Sequence, residues 1–238
     1  MRRKIVGAGL LWLLVACGNG GAGSAGKAAS AETALARDSN QSAVAAAVAA
    51  DPRPVILFFG TSLTAGLGLE PEEAYPTLIQ QKLDSAGLPF RAVNAGVSGE
   101  TSAAGLRRID WILQRPVAVL VLELGANDAL RGLELQAARK NLQEIIDHTR
   151  AKYPGVKVVV AGMQAPPNLG SRYTGEFKQM FVDLARENHA ALIPFLLDGV
   201  GGVDSLNQRD GIHPNPEGEK IVADNVWKVL QPILAGSR

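Results

Sequence analysis

Cysteine, aromatic residues and clustered basic charge are all scarce in this 238-residue chain. It contains one cysteine, 5% aromatic residues, and 24 lysines and arginines against 23 acidic residues. A lone cysteine excludes an internal disulfide, so the fold depends on its core. No basic stripe with interleaved aromatics occurs, and this argues against a nucleic-acid partner. No apolar run reaches the roughly 20 residues that span a bilayer.

The three histidines also lack the spacing of metal ligands. His148 lies in a predicted helix and His189 just before a predicted strand, and neither belongs to an H-E-x-x-H motif. We therefore predict no metal site. The remaining composition, with 47% hydrophobic and 20% charged residues, is that of an ordinary globular protein.

The first 17 residues have the pattern of a targeting segment. "MRRK" is basic, "IVGAGLLWLLVA" is apolar but too short to span a bilayer, and "LVAC" ends at Cys17. "LVAC" resembles the lipobox of bacterial lipoproteins, in which the cysteine is lipidated and becomes the new N-terminus. We therefore expect a signal peptide over 1–17 and lipidation of Cys17. The alternative is a plain secretory peptide in which the cysteine is incidental.

These features predict an exported protein of the bacterial cell envelope. It would face the periplasm or be held at the outer membrane, if the source has one. Residues 18–51 are rich in Gly, Ala and Ser and have almost no large apolar side chain to bury, so they are predicted to form a flexible tether. The folded domain is predicted over 52–238.

Strand and helix patterns alternate along this domain. The run "VAVLVLELG" is typical of a buried parallel strand. The alternation predicts an α/β fold with a parallel sheet between helices, and a Pro- and Gly-rich loop over 164–175 before the fourth helix. Predicted strands cover 54–60, 90–96, 117–125, 156–163 and 191–195, and predicted helices cover 71–87, 102–114, 134–152, 176–188 and 216–230.

Candidate reactive residues follow three strands and precede the last helix. "GTS" with Ser62 follows the first strand, "GVSGE" with Gly99 the second, and "GAND" with Asn127 the third. "DGIH" contains Asp210 and His213. Ligands of open α/β sheets bind at the carboxyl ends of the strands, so we expect these residues to lie at one edge of the sheet.

This set of residues matches the needs of nucleophilic catalysis. A serine hydroxyl needs a base such as histidine, and the imidazole needs a carboxylate on its other nitrogen. "DGIH" supplies both from one turn, ahead of a predicted N-cap at Asn215. The Ser62 N–H, an N–H near Gly99 and the Asn127 amide are candidate donors to an oxyanion. Two alternatives are that Ser62 only closes a turn, and that Ser98 is the nucleophile, although "GVSGE" does not fit G-x-S-x-G.

Together the four blocks resemble the SGNH (GDSL-type) hydrolases, in particular their bacterial thioesterase/lysophospholipase and arylesterase branch. "GTSLTAGLG", "VNAGVSGETSAAGL", "ELGANDALRG" and "DGIHPNPEG" occur in the order of the family's serine, glycine, asparagine and Asp–His blocks, within 53–232. The resemblance implies a flavodoxin-like three-layer α/β/α sandwich around a five-stranded parallel sheet. It also implies acyl transfer to serine followed by hydrolysis, with no metal or organic cofactor.

The resemblance assigns a role to each matching residue. Ser62 is the expected nucleophile, His213 the general base, and Asp210 the residue that orients the imidazole. The Ser62 N–H, Gly99 and Asn127 are the expected oxyanion hole.

Two residues depart from the family pattern. Thr61 stands where the serine block usually has aspartate, and Ala126 where relatives often have glycine. That aspartate is not a triad member. We therefore expect Thr61 to alter the activity or its pH profile without removing the chemistry.

The expected substrates are aryl or short-to-medium acyl esters, with thioesters or lysophospholipids as further candidates. The loop 164–175 is expected to border the acyl pocket, with Leu130, Pro166 and Tyr173 as candidate substrate contacts. Two alternatives stay open, a carbohydrate O-acetyl esterase and an envelope binding protein that has lost catalysis. We expect a monomer that is held to a membrane by its N-terminal lipid.

Overall fold

Five parallel strands form a sheet in the order β2-β1-β3-β4-β5. The computed structural model describes residues 51–236. The predicted signal peptide, Cys17 and all of the tether except Asp51 therefore lie outside the described residues. The predicted α/β class and five-stranded parallel sheet are confirmed. The strands are β1 (Val55–Gly60), β2 (Arg91–Asn94), β3 (Val117–Glu123), β4 (Lys157–Ala161) and β5 (Ala191–Ile193).

Helices connect successive strands and cover both faces of the sheet. Within 51–236 these are α1 (Ser62–Ala65), α2 (Tyr75–Ser85), α3 (Ser102–Ile112), α4 (Ala126–Leu130), α5 (Leu135–Lys152), α6 (Ser171–Glu187) and α7 (Pro216–Ala235). Helix α2 packs against α7, and α3 packs against α5, which also contacts α6. These two groups are the outer layers of a three-layer α/β/α fold. None of the helices in this part of the chain is long and apolar enough to cross a membrane.

The core lies on both faces of β1 and β3. All six residues of β1 are buried, as expected for a strand covered by helices on each side. Phe58 of β1 packs edge-on against Tyr75 of α2, with ring centres 5.6 Å apart. Phe177 and Phe181 of α6 form a second edge-on pair at 5.0 Å.

The boundary of α6 differs from the prediction. It begins at Ser171, inside the predicted loop 164–175. Gly170 has a φ of +86° and ends the preceding segment, and Phe177 and Phe181 then recur at helical spacing and are buried. Burial of this apolar face outweighs the local turn signal of the Pro- and Gly-rich stretch.

Other element boundaries shifted by smaller amounts. Helix α2 begins at Tyr75 rather than at 71, with Pro76 in its first turn, where a missing N–H is harmless. Helix α7 extends to Ala235 because Leu230 and Leu234 continue its buried face. The short helices α1 and α4 occupy strand-end segments that carry no helical periodicity of their own.

The topology reverses between β1 and β3. The chain leaves β1 toward β2 on one side and returns to β3 on the other, and the last pair in register is Gly60 with Glu123. In open α/β sheets this switch point is where the ligand crevice forms. Ser62 follows β1 and Asn127 follows β3, so both lie at that crevice.

Candidate active site

Ser62 is the first residue of the short helix α1, directly after the end of β1. Thr61 is the N-cap residue, with extended backbone, and its Oγ1 accepts a hydrogen bond from the Leu63 N–H at 3.4 Å. Ser62 is 8% exposed. The tight strand-to-helix turn therefore presents a largely buried hydroxyl at the sheet edge.

The structure brings Ser62, His213 and Asp210 into one chain of hydrogen bonds. Ser62 Oγ lies 2.8 Å from His213 Nε2, and His213 Nδ1 lies 2.6 Å from Asp210 Oδ2. An ionised carboxylate only accepts, so Nδ1 carries the proton and Nε2 is free to accept from the serine hydroxyl. This is the arrangement in which imidazole acts as a base toward serine.

Asp210 is held in its ionised form by the turn itself. Its Oδ1 accepts hydrogen bonds from the N–H groups of Ile212 and His213 at 2.9 and 3.0 Å. The Ile212 N–H, the His213 side chain and the His213 N–H together lower the pKa of Asp210 from 3.8 to about 2. Gly211 has a φ of +69°, which lets the chain fold back so tightly.

The segment that carries His213 is anchored at both ends. The predicted N-cap is confirmed, because Asn215 Oδ1 accepts from the N–H groups of Glu217 and Gly218 at 3.1 and 3.0 Å. The sequence analysis did not identify Gln208 as an anchor of this segment. Its N–H donates to the His213 carbonyl at 2.7 Å, and its Nε2 donates to the carbonyl of Leu67 at 2.7 Å.

Besides Ser62, the two other expected oxyanion residues, Gly99 and Asn127, lie on adjacent segments. Gly99 has a φ of +75°, and its carbonyl accepts from Arg131 Nη2 at 2.8 Å. Asn127 lies in α4 and its Nδ2 donates to the Glu100 carbonyl at 3.0 Å. An amide nitrogen has two hydrogens, so one stays available for a substrate oxygen. Asp128, next in the chain, is buried and accepts from the N–H and hydroxyl of Ser102.

A buried acidic residue that the sequence analysis missed lies beneath the nucleophile. Glu123 accepts from the Thr61 N–H at 2.8 Å, from the Thr61 hydroxyl at 3.0 Å and from the Thr64 hydroxyl at 2.8 Å. Burial raises the pKa of Glu123 to about 7, although these donors lower it in part. The available signal was a glutamate at the end of an otherwise apolar strand.

The network continues to the last helix. The Thr64 hydroxyl lies 2.8 Å from the Tyr75 hydroxyl, and the Tyr75 N–H donates to Glu219 Oε2 at 2.8 Å. Glu219 lies in α7, and burial raises its pKa to about 8, with the charge of Glu123 as a further cause. The turn that carries Ser62 is thereby linked to the helix that follows His213.

The three candidate substrate contacts stay predictions. Leu130 ends α4 and is 51% exposed, and Pro166 is exposed in the segment after β4. Tyr173 lies in the first turn of α6, and its hydroxyl donates to the Leu133 carbonyl at 3.4 Å. That bond connects the α6 end of the predicted pocket to the segment that follows Leu130.

The rival residues do not take part in this arrangement. Within 51–236, His213 contacts Ser62, and no hydrogen bond joins it to Ser98. His148 pairs with Asp110 at 3.1 Å on the surface. No group of three or more His, Cys, Asp or Glu residues in the described chain is arranged to hold a metal.

Comparison with known proteins matches the sequence of this chain to one family. The sequence model described as the GDSL-like lipase/acylhydrolase family matches residues 58–221. Esterase TesA of Pseudomonas aeruginosa is 41% identical over 180 residues, which are 75% of this chain and 89% of the relative. Thioesterase 1/protease 1/lysophospholipase L1 of Escherichia coli is 36% identical over 190 residues, 79% of this chain and 87% of the relative.

A solved esterase structure is also similar to this chain in fold and sequence. The psychrotrophic esterase EstA from a Pseudoalteromonas species, in a form inhibited by monoethylphosphonate, aligns with a TM-score of 0.72 and 32% identity. The alignment covers 76% of this chain and 98% of that one.

Proposed function

Because the chain belongs to the GDSL-like lipase/acylhydrolase family, we propose that it is a serine hydrolase of carboxylic esters that acts through an acyl-enzyme on Ser62. The observation that carries this proposal is the contact chain from Ser62 Oγ through His213 to Asp210. The same contacts favour an enzyme over a binding protein that has lost catalysis.

In the first half of the reaction, Ser62 Oγ attacks the ester carbonyl carbon while His213 Nε2 takes the hydroxyl proton. Asp210 stabilises the imidazolium through its bond to Nδ1. The negative charge on the carbonyl oxygen is met by the Ser62 N–H, the Gly99 N–H and the Asn127 amide. The carbon–oxygen bond to the alcohol then breaks, and the alcohol leaves with the proton from Nε2.

In the second half, a water molecule replaces the alcohol. It gives a proton to His213 Nε2 and adds to the acyl carbon. The bond to Ser62 Oγ then breaks, and Oγ recovers the proton. The products are a carboxylic acid and the free enzyme, and no step requires a cofactor.

The proposed substrates are aryl or short-to-medium acyl esters, with thioesters and lysophospholipids as further members of the class. The names of the relatives, an esterase and a thioesterase/lysophospholipase, support this range. The exposed Leu130 and the Tyr173 ring support an apolar acyl site beside Asn127.

Hydrolysis of p-nitrophenyl esters from acetate to palmitate tests the proposal with the full chain, Ser62→Ala and Ser98→Ala. We expect Ser62→Ala to lower the rate of hydrolysis by at least about 10³-fold, and Ser98→Ala to change it by less than about threefold. A fluorophosphonate probe should label the wild type and Ser98→Ala but not Ser62→Ala. A folded wild type that neither hydrolyses any ester nor takes up the probe would favour the binding-protein alternative.

We further propose that the chain is a monomeric lipoprotein of the bacterial envelope, anchored at Cys17 after cleavage between Ala16 and Cys17. The "LVAC" pattern supports it. Incorporation of labelled palmitate that is lost in Cys17→Ala would support the anchor. Release of a cleaved, unlabelled protein by the wild type would favour a plain secretory peptide, and light scattering of the purified protein would test the monomer.

A further inference from the structure

The loop 95–100 connects β2 to α3 and carries Gly99. It belongs to no helix or strand, so its shape depends on the contacts of its own groups. Its Val97 N–H donates to the Gly60 carbonyl of β1 at 2.9 Å. Beyond Val97 the chain turns through Gly99 at positive φ, the Gly99 carbonyl accepts from Arg131 Nη2 at 2.8 Å, and the side chain of Glu100 is the next anchor.

Arg108 of α3 contacts both ends of this loop. Its Nε donates to Glu100 Oε1 at 2.6 Å and its Nη2 to Glu100 Oε2 at 2.5 Å. Nη2 also donates to the Ala95 carbonyl at 2.7 Å. The guanidinium lies 4.1 Å from the centre of the Phe59 ring, three residues before Ser62. One side chain therefore contacts the first and last residues of the loop and the strand that leads to the nucleophile.

Glu100 connects Arg108 to the oxyanion residues. It directly follows Gly99 in the chain, and its carbonyl accepts the hydrogen bond from Asn127 Nδ2 at 3.0 Å. A shift of the Glu100 backbone would therefore move the Gly99 N–H and the Asn127 amide together.

The burial of this ion pair argues for a role in geometry. The side chains of Arg108 and Glu100 are 13% and 4% exposed. Buried ion pairs add little stability over apolar residues of similar volume, whereas a two-pronged guanidinium–carboxylate contact fixes orientation. We propose that Arg108 is a positioning residue for ester hydrolysis, which holds Glu100 and Ala95 so that the Gly99 N–H and the Asn127 amide meet the oxyanion. The inference rests on the proposed hydrolase function.

The test compares Arg108→Met with Arg107→Met, its matched control. Arg107 lies next to it on α3, is exposed, and donates to the Ala103 carbonyl of its own helix. We expect Arg108→Met to lower kcat by about 10- to 100-fold, since misplacing a reacting group by about 1 Å has an effect of this size. KM should change by less than about threefold, because an oxyanion donor acts mainly in the transition state. Arg107→Met should match the wild type in both.

A transition-state analogue separates positioning from a general structural defect. A trifluoromethyl ketone adds Ser62 Oγ to its carbonyl carbon and places an oxyanion where the substrate would. The matching methyl ketone binds without that addition. We expect Arg108→Met to weaken the fluorinated inhibitor by the factor lost in kcat/KM and to leave the methyl ketone unchanged.

The double variant Glu100→Gln/Arg108→Met covers the case in which Arg108→Met fails to fold, because it leaves no unpaired buried charge. We expect it to fold and to keep the low kcat. Recovery of wild-type kcat in the double variant, or wild-type kcat in a folded Arg108→Met, would overturn the proposal. If the wild type itself lacks ester turnover and phosphonate labelling, the proposed function fails first and this inference fails with it.

Discussion

The hydroxyl of Thr61 lies 3.0 Å from both carboxylate oxygens of Glu123, and the Thr61 N–H lies 2.8 Å from one of them. The residue before the nucleophile is thus fixed to the end of the neighbouring strand by side chain and backbone together. Thr61 replaces the family's usual aspartate with a donor, which suits a buried carboxylate better than a second acceptor does. Gly60, beside it, leaves room for this network, because a Cβ there would clash with the Thr64 hydroxyl and the Glu123 carboxylate.

Replacing Thr61 with valine should weaken the contacts that hold the turn of Ser62 in place. Thr61→Val keeps the shape but removes the hydroxyl donor to Glu123, so we expect unfolding free energy to fall by about 1–3 kcal/mol and kcat to fall several-fold. Thr61→Ser retains the hydroxyl and should lose much less of either. Urea unfolding and p-nitrophenyl ester turnover would measure both, and equal effects in the two variants would contradict the role assigned to the hydroxyl.

Thr61→Asp, which restores the usual family residue, should change how the site binds protons. Two carboxyl groups would then face each other in a buried position, so one of them should stay protonated to higher pH. We expect the pH profile of kcat/KM to change relative to wild type. Thr61→Asn, with the same shape and no charge, is the control, and identical profiles for the two variants would argue against carboxylate coupling.

Stability should decrease as pH rises from about 5 to about 8. The folded pKa values of Glu123 and Glu219 are raised from 4.5 to about 7 and about 8 by burial. Between the unfolded and folded pKa values the folded chain binds more protons, so raising the pH favours unfolding. We expect the urea midpoint to fall over this interval, and to fall less in Glu123→Gln. Urea midpoints that rise with pH would contradict this sign.

Asp210→Asn should impair catalysis while leaving the fold intact. An asparagine amide that donates to Nδ1 would favour the wrong imidazole tautomer, and we expect kcat to fall by about 10²- to 10⁴-fold. Because the pKa of Asp210 is lowered to about 2, its protonation should not limit activity at moderately acidic pH. Glu217→Gln removes an exposed carboxylate from the adjoining helix turn and should leave kcat unchanged. A drop of similar size in both variants would point to a nonspecific charge effect.

Gly99→Ala should separate catalytic geometry from backbone strain. Gly99 and Gly132 both have positive φ, and both have room for a Cβ, with Arg131 Nη2 at 3.5 Å from the first and nothing within 4 Å of the second. Each alanine should cost about 1–2 kcal/mol of stability. Only Gly99→Ala should also lose kcat, by about tenfold or more, because it alters a proposed oxyanion donor. Equal kcat values would argue against that donor.

Much of the fold was predictable because the pattern that indicates each strand or helix lies within that strand's or helix's own residues. Apolar runs such as that of β3 and the helical patterns between strands are short-range features, and parallel topology then places every strand's carboxyl end at one edge. This common edge placed Ser62 near the other candidate residues, and the family resemblance assigned His213 as its base. The structure joins the two residues, although 151 positions separate them.

The residues that were missed depend on tertiary pairing. Glu123 ends an apolar strand and looks like a surface terminus until it pairs in register with Gly60 and becomes fully buried. Arg108 follows another arginine in a helix, and nothing local distinguishes the buried one from its exposed neighbour. The start of α6 was misplaced for the opposite reason, because the turn signals of Gly170 and its neighbours were local while the burial of Phe177 was not.

Asp210 and His213 belong to one four-residue turn, whereas Ser62 lies on a separate element. An outward displacement of that turn would lengthen the Ser62–His213 distance and leave the His213–Asp210 contact unchanged. Activity would then be lost, but the imidazole would keep its proton on Nδ1. When the turn returned, His213 would already be oriented by Asp210 and could act as the base at once. Orientation of His213 by Asp210 is thus complete within the turn itself. Deprotonation of Ser62, in contrast, depends on the contact between this turn and the edge of the sheet.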